Sequence, residues 1–112
     1  MMLRTALVAA LALLTIAPGA GASEYPARPI RIIVQFTPGT STDIMARLIA
    51  AKMGEHWNQQ VIVDNRPGAG AVVGTEMGAK AMPDGYTLTM AVSSAFGINP
   101  TLYSKLPYDA IN

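Results

Sequence analysis

Two glycine-bearing turns in this chain each lie between an apolar run and a helical pattern, and backbone N–H groups presented there could hold an anion. The first reads Asp64-Asn65-Arg66-Pro67-Gly68-Ala69-Gly70-Ala71-Val72-Val73-Gly74. Glycines let the main chain turn at positive φ and come close to a ligand. A helix N-terminus adds unpaired amides and a partial positive charge suited to a carboxylate or phosphate. The second has the same construction, the run Pro29 to Phe36 leading into Thr37-Pro38-Gly39-Thr40-Ser41-Thr42-Asp43 and a further helical pattern.

Side chains near these turns are candidates too, each with a plainer role beside the functional one. Asp43 either complements the dipole of a helix start, with Thr40 in a capping-box-like pair, or accepts a hydrogen bond from a protonated acid or amine on a solute. Arg47 and Arg66 could neutralise an anion, but arginines so placed more often pair with neighbouring acids or solvent. Gly68 and Gly70 could serve only to end a strand and admit a closely packed helix. Ser93 and Ser94 could donate to a ligand or cap a turn. The lone His56, beside Trp57 in the loop expected after Gly54, reads as a surface residue.

Catalysis lacks candidates. Gly68, Gly70 and Gly74 are spaced one residue longer than a dinucleotide fingerprint, and the acidic ribose partner about 20 residues later is missing. There is no phosphate-loop Gly-Lys-Ser/Thr, and one histidine without cysteine cannot build an ordinary zinc site. His56 with Ser93 or Ser94 lacks a nucleophile elbow. The expectation is a protein that is not an enzyme and needs no cofactor.

The elements that must position the turns follow from hydrophobic spacing. Ile30, Ile32, Ile33, Val34 and Phe36 make a strand of the kind covered on both faces, expected over Pro29 to Phe36. Ile44, Leu48 and Ala51, widened by Met45 and Ile49, predict a helix from Ser41 or Thr42 to Gly54. Gln60 to Val63 reads as a second strand. Val73, Met77 and Ala81 mark a helix ended by Pro83, and Tyr86 to Met90 a third strand, after which the chain reads as loop. Strand, helix, strand, helix, strand predicts parallel pairing with right-handed crossovers. Ligands of open parallel sheets bind at the C-terminal ends of the strands, where both turns and Ser93-Ser94 would lie.

The N-terminus carries Arg4, the apolar stretch Ala6 to Ala17 and the small residues Ala20-Gly21-Ala22. The apolar stretch is shorter than the roughly 20 residues of a spanning helix. It predicts a secretory signal peptide over residues 1–22, cleaved after Ala22, and a mature chain in residues 23–112. Without Arg4, seven Lys/Arg face seven Asp/Glu. Such a neutral chain has no basic field for nucleic acid.

Several short motifs in register then carry a family resemblance: Tyr25-Pro26-Ala27-Arg28-Pro29-Ile30, Phe36-Thr37-Pro38-Gly39, Asp43 with Ala46-Arg47, Val63-Asp64-Asn65-Arg66-Pro67-Gly68-Ala69-Gly70, Pro83-Asp84-Gly85-Tyr86-Thr87-Leu88, and Asn99-Pro100 through Leu102-Tyr103 to Leu106-Pro107-Tyr108-Asp109. Across essentially the whole mature chain, the sequence resembles the solute receptors of tripartite tricarboxylate transporters, also called Bug-type receptors. The resemblance implies an α/β fold, namely part of the first lobe of a type II periplasmic-binding-protein, or Venus-flytrap, architecture. It also implies a periplasmic receptor that takes up a small carboxylate or related solute and delivers it to membrane permease subunits. Such receptors are much longer, so residues 23–112 are expected to be the N-terminal part of lobe one, from a fragment or truncated reading frame. The family's ligand loops fall on Thr37 to Asp43, Pro67 to Ala71 and Ser93 to Ala95. They imply ligand contacts at Pro38, Gly39, Thr40, Ser41, Asp43, Gly68, Ala69, Gly70, Ala71, Ser93 and Ser94. The family usually has glycine where this chain has Thr40 and Ala71, and Thr40 disfavours positive φ. The alternative reading is an exported interaction module, or a non-functional fragment, without small-ligand binding.

Overall fold

The β-branched run, interrupted only by Arg31, forms β1 (Ile30–Val34), the central strand of a parallel three-stranded sheet ordered β2-β1-β3. The computed structural model describes residue 21 and residues 23–111. The expected leader and its junction after Ala22 lie, apart from Gly21, outside the described residues. Ile30 pairs with Val61 and Val34 with Asn65 of β2 (Val61–Asn65), while Arg31 and Ile33 pair with Thr87 and Thr89 of β3 (Thr87–Thr89). Burial on both faces explains why β1 lacks alternation. Ile32 and Val34 pack with Ala46 and Ala50 of α1 (Ser41–Trp57), flanked by Met53, Val61, Val63 and Met90. The opposite pleat, with Ile33 and the buried Gln35, lies against α2 (Val72–Ala79). One helix on each face of a parallel sheet is the α/β arrangement expected from the element order.

Several boundaries and faces differ from expectation. Helix α1 runs three residues past Gly54, so His56 and Trp57 form its last turn instead of a loop. The stop is Asn58, left-handed at φ 48°, whose N–H bonds the Gly54 carbonyl. The α1 face is also rotated. Ile44 is 53% and Leu48 63% exposed, and Met45 and Ile49 are exposed beside them, while Asp43, Ala46 and Ala50 face the sheet. Small alanines let the helix approach closely, and the hydrogen bonds of Asp43 described below fix its rotation.

Strand β2 starts and ends later than Gln60 to Val63, because parallel pairing continues through Asp64 and Asn65. Strands β1 and β3 are shorter than the expected Pro29 to Phe36 and Tyr86 to Met90. In α2 the exposed Val73 is not the inward residue; Gly74 and Thr75 are. Nor is the segment after β3 loop-like. Ser94–Ile98 is a π-helical turn, and Asn99–Leu102 a single helical turn, α3. Pro100 does not prevent α3, since proline fits the first turn, where its missing N–H would have no partner anyway. Among the described residues no helix is long and apolar enough to cross a membrane.

Candidate functional site

Parallel pairing brings the C-terminal ends of all three strands to one edge, and the three singled-out loops leave from that edge. Numbered in chain order, the loops are Thr37 to Asp43, Pro67 to Ala71 and Ser93 to Ala95, and in the first of them the positive φ falls on Gly39, at 89°. Thr40 is extended (φ −71°, ψ 161°), so threonine fits there without strain. Its hydroxyl donates to the Thr37 carbonyl at 3.0 Å and accepts from the Asp43 amide at 3.4 Å, capping α1.

Asp43, 2% exposed, is the centre of this loop. Its Oδ2 accepts from the Gly39 amide at 2.9 Å and from Arg47 Nε at 3.0 Å, and its Oδ1 from Asn65 Nδ2 at 2.8 Å. The Arg47 hydrogen bond first, then those from Gly39 and Asn65, lower its pKa to about 2 against the opposing effect of burial. An ionised carboxylate with three donors braces the turn, while Thr40 caps the helix. Gly39, one of the expected amide donors, therefore has its N–H engaged by Asp43. Ser41 and Thr42, the first residues of α1, have no carbonyl behind them in the helix for their amides.

The second loop carries four consecutive positive φ values: Gly68 141°, Ala69 48°, Gly70 60° and Ala71 76°. The two alanines adopt a conformation that ordinarily favours glycine. A single 3₁₀ turn, Ala69–Ala71, leads into α2, and the Val72 amide closes it on the Ala69 carbonyl. The first two amides of such a turn, Ala69 and Gly70, have no acceptor within it. Successive main-chain N–H groups in turns of this kind form concavities that suit anions. Two side chains grip the loop from behind. Thr75 donates to the Ala71 carbonyl at 2.7 Å, and Asn99 Nδ2 to the Gly70 carbonyl at 2.9 Å.

In the third loop Ser93 is exposed, and Ser94 Oγ is buried without a partner. Ala95 is fully buried, and the π-turn it belongs to packs against the 3₁₀ turn of the second loop. The first and second loops are joined by Asn65, whose Nδ2 also donates to the Phe36 carbonyl at 3.0 Å. The structure thus gathers all three expected loops.

The two candidate arginines already have acidic partners. Arg47 pairs with Asp43 and donates to Asn65 Oδ1 at 3.2 Å. Arg66 lies 2.9 Å from Asp64, which also pairs with Arg31. Burial pushes the Asp64 pKa up, but hydrogen bonds from Arg31 and Arg66 outweigh it and leave it below the ordinary value. Among the described residues no cluster of three or more His, Asp or Glu could hold a metal ion.

The sequence reading missed the supporting side chains. Asn65 was read only as part of a turn, and Asn99 and Tyr108 only as motif letters. Gln35 was passed over inside an apolar run, where a lone amide is itself a signal of a buried polar contact. Its Nε2 donates to the Met90 carbonyl at 2.6 Å and reaches Thr75 Oγ1 at 3.4 Å, while Oε1 is buried unpaired.

A family model described as "Tripartite tricarboxylate transporter family receptor" matches residues 45–112. Protein BugT of Bordetella pertussis is 46% identical over 97 residues, which is 86% of this chain and 30% of that protein. Among solved structures, the periplasmic binding protein BugD superposes with a TM-score of 0.72 at 37% identity, covering 77% of this chain and 28% of that one. The structure titled R. palustris Rpa4515 with adipate gives 0.75 at 36% identity, covering 78% and 29%. The chain spans about 30% of the length of the curated relatives it matches.

Proposed function

Because the chain belongs to the tripartite tricarboxylate transporter receptor family, we propose that it forms part of a periplasmic receptor holding one end of a small carboxylate on main-chain amides. The family is one of transport receptors, whose structurally known neighbours here are periplasmic binding proteins. In this reading residues 1–22 direct export, residues 23–112 form the N-terminal part of the first lobe, and the loaded receptor delivers its solute to membrane permease subunits.

One observation carries the proposal. Unpartnered amides at the start of α1, at Ser41, and in the left-handed turn ahead of α2, at Ala69 and Gly70, sit at the same sheet edge, while Arg47 and Arg66 are paired with acids. An anion entering there would meet N–H groups and the exposed Ser93 hydroxyl before any free cation, whereas the Ser94 hydroxyl is buried. Asp43 acts by shaping the first loop, and Gly39 supplies its positive-φ turn. Adipate, named with a solved relative, is the natural probe.

Net worth per amide contact is about 0.5 to 1.5 kcal/mol. A few contacts to a solvent-exposed carboxylate therefore give a dissociation constant around 1 mM, equivalent to roughly 4 kcal/mol. Titrating residues 23–112, labelled with 15N, with adipate or succinate should shift the Ser41, Ala69 and Gly70 amides in that range. Replacing Gly70 by Pro removes an N–H donor and restricts φ, and should weaken binding at least about tenfold, or roughly 1.4 kcal/mol. Unchanged binding by a folded Gly70→Pro variant would exclude the loop. Micromolar affinity would show that enclosure by a second lobe is unnecessary.

A further inference from the structure

The turn that presents Ala69 and Gly70 is strained at two alanines, yet it is held by a residue 29 positions downstream. Building on the carboxylate reading above, we propose that Asn99 is the positioning residue of that site, with Tyr108 as the residue that fixes Asn99.

Asn99 is 3% exposed at the start of α3. Its Nδ2 donates to the Gly70 carbonyl at 2.9 Å and to the Tyr108 hydroxyl at 3.5 Å. The buried Tyr108 donates in turn to the Ala95 carbonyl at 2.7 Å. Donor polarity runs one way along this chain, so the Asn99 amide can sit in only one orientation. Turned over, its Oδ1 would face the Gly70 carbonyl oxygen.

A strained backbone persists only where its surroundings over-determine it. Here Asn99 fixes the Gly70 carbonyl, and Thr75 the next one, at Ala71. Because each peptide unit is planar, holding those two carbonyls sets the planes of the Gly70–Ala71 and Ala71–Val72 units. The left-handed turn is thereby kept, and the Ala69 and Gly70 amides stay ahead of it at the sheet edge. The same chain of hydrogen bonds connects the second loop to the third, because its far end is the carbonyl of Ala95. The positions of Ser93 and Ser94 relative to the glycine turn are therefore set by Tyr108 and Asn99 together.

The test uses the full chain, 15N-labelled, with Asn99→Ala, Asn99→Asp and Tyr108→Phe. Asn99→Asp keeps the size and shape of the side chain but replaces the donor with an acceptor. Two quantities are read without ligand: the 15N shift of Ala71, which responds to hydrogen bonding at the preceding carbonyl, and the exchange protection of the Val72 amide that closes the turn. Both Asn99 variants should move the Ala71 shift and lower Val72 protection at least tenfold, while Ile32 and Ile33 in β1 change less than twofold. Tyr108→Phe should act in the same direction with a smaller effect. Unchanged Val72 protection, an equal loss in β1, or a harmless Asn99→Asp each overturns the proposal, the last because packing alone would then suffice.

Adipate added to the same samples should shift Ala69 and Gly70 in the wild type and at least tenfold less readily in Asn99→Ala. Should the wild type ignore adipate while the ligand-free results come out as expected, the clamp stands and the carboxylate reading falls.

Discussion

Replacing Gly74 by Ala sets helix propensity directly against packing. In an exposed helix the change should stabilise by roughly 0.8 to 1 kcal/mol. At Gly74, however, an added Cβ would lie 2.8 Å from the Arg66 carbonyl oxygen, 3.0 Å from Gln35 Cγ and 3.1 Å from Gln35 Cα. Two of these atoms are backbone, so no rotamer change relieves them, and α2 must lift off β1. Overpacking of this sort costs about 1 to 3 kcal/mol. With backbone on two sides the upper part of that range applies, leaving a net loss of about 2 kcal/mol, or roughly 8 to 16 °C in Tm for a domain of this size. Gly78→Ala differs in kind, since its Cβ would overlap Thr89 Oγ1 and come within 3.2 Å of Thr89 Cγ2. Thr89→Ala removes both atoms and should recover about 1 to 2 kcal/mol in a double-mutant cycle, whereas Gln35→Ala cannot rescue Gly74→Ala. Gly97, with nothing within 4 Å, is the control, and its change to Ala should be neutral or mildly stabilising. Urea unfolding followed by circular dichroism reads the single and double variants alike. A Gly74→Ala protein as stable as the wild type would refute the close approach of α2 to β1.

The remaining predictions concern strain, acid and surface. Ala69→Gly relieves about 1 to 2 kcal/mol of left-handed strain against about 0.4 to 1 kcal/mol of added unfolded-state entropy, so it should stabilise by roughly 0.5 to 1 kcal/mol. At Ala71, 1% exposed, the lost methyl burial of about 0.8 kcal/mol brings the same change close to neutral, and equal thermal shifts for the two would contradict the assigned burial. Asp43 titrates near 2 in the folded chain, below its ordinary 3.8, so its contribution is complete above pH 3.8 and is lost as the pH falls towards 2. Asp43→Asn should flatten the acid limb of stability measured between pH 5 and 2, and an unaltered limb would show that the brace is not ionic. Ile44→Glu and Leu48→Glu lie on the exposed apolar stripe of α1, so they should reduce self-association in sedimentation without lowering Tm; a clear fall in Tm would mean the stripe is packed.

The order of elements was legible in the sequence because β-branched runs, helical spacing and glycine turns are local signals. Ile30 to Val34 has no polar alternation because both pleats are covered, and that pattern, with a helix following each of the first two strands, was enough to predict a parallel sheet. The positions of the candidate loops followed from the same local grammar, as did the pairing of Arg47 and Arg66 with nearby acids. What the sequence could not supply was the rotation of α1. Its apolar residues run nearly all the way round, so periodicity points to Ile44 and Leu48 when the buried face is Asp43, Ala46 and Ala50. That choice depends on Asn65, 22 residues away from Asp43, and on how closely alanines let the helix sit. Likewise Gly39 and Thr40 were known to share a turn in which Thr40 disfavours positive φ, but the capture of the Gly39 amide by Asp43 was visible only in the structure. The grip of Asn99 on Gly70, and of Tyr108 on Ala95, spans distances over which a single sequence carries no pairing information. Composition and spacing therefore marked which loops were candidates to face an anion, while hydrogen bonds between residues remote in sequence decided the shape of those loops, because a turn strained at two alanines holds its shape only when the surrounding fold clamps it.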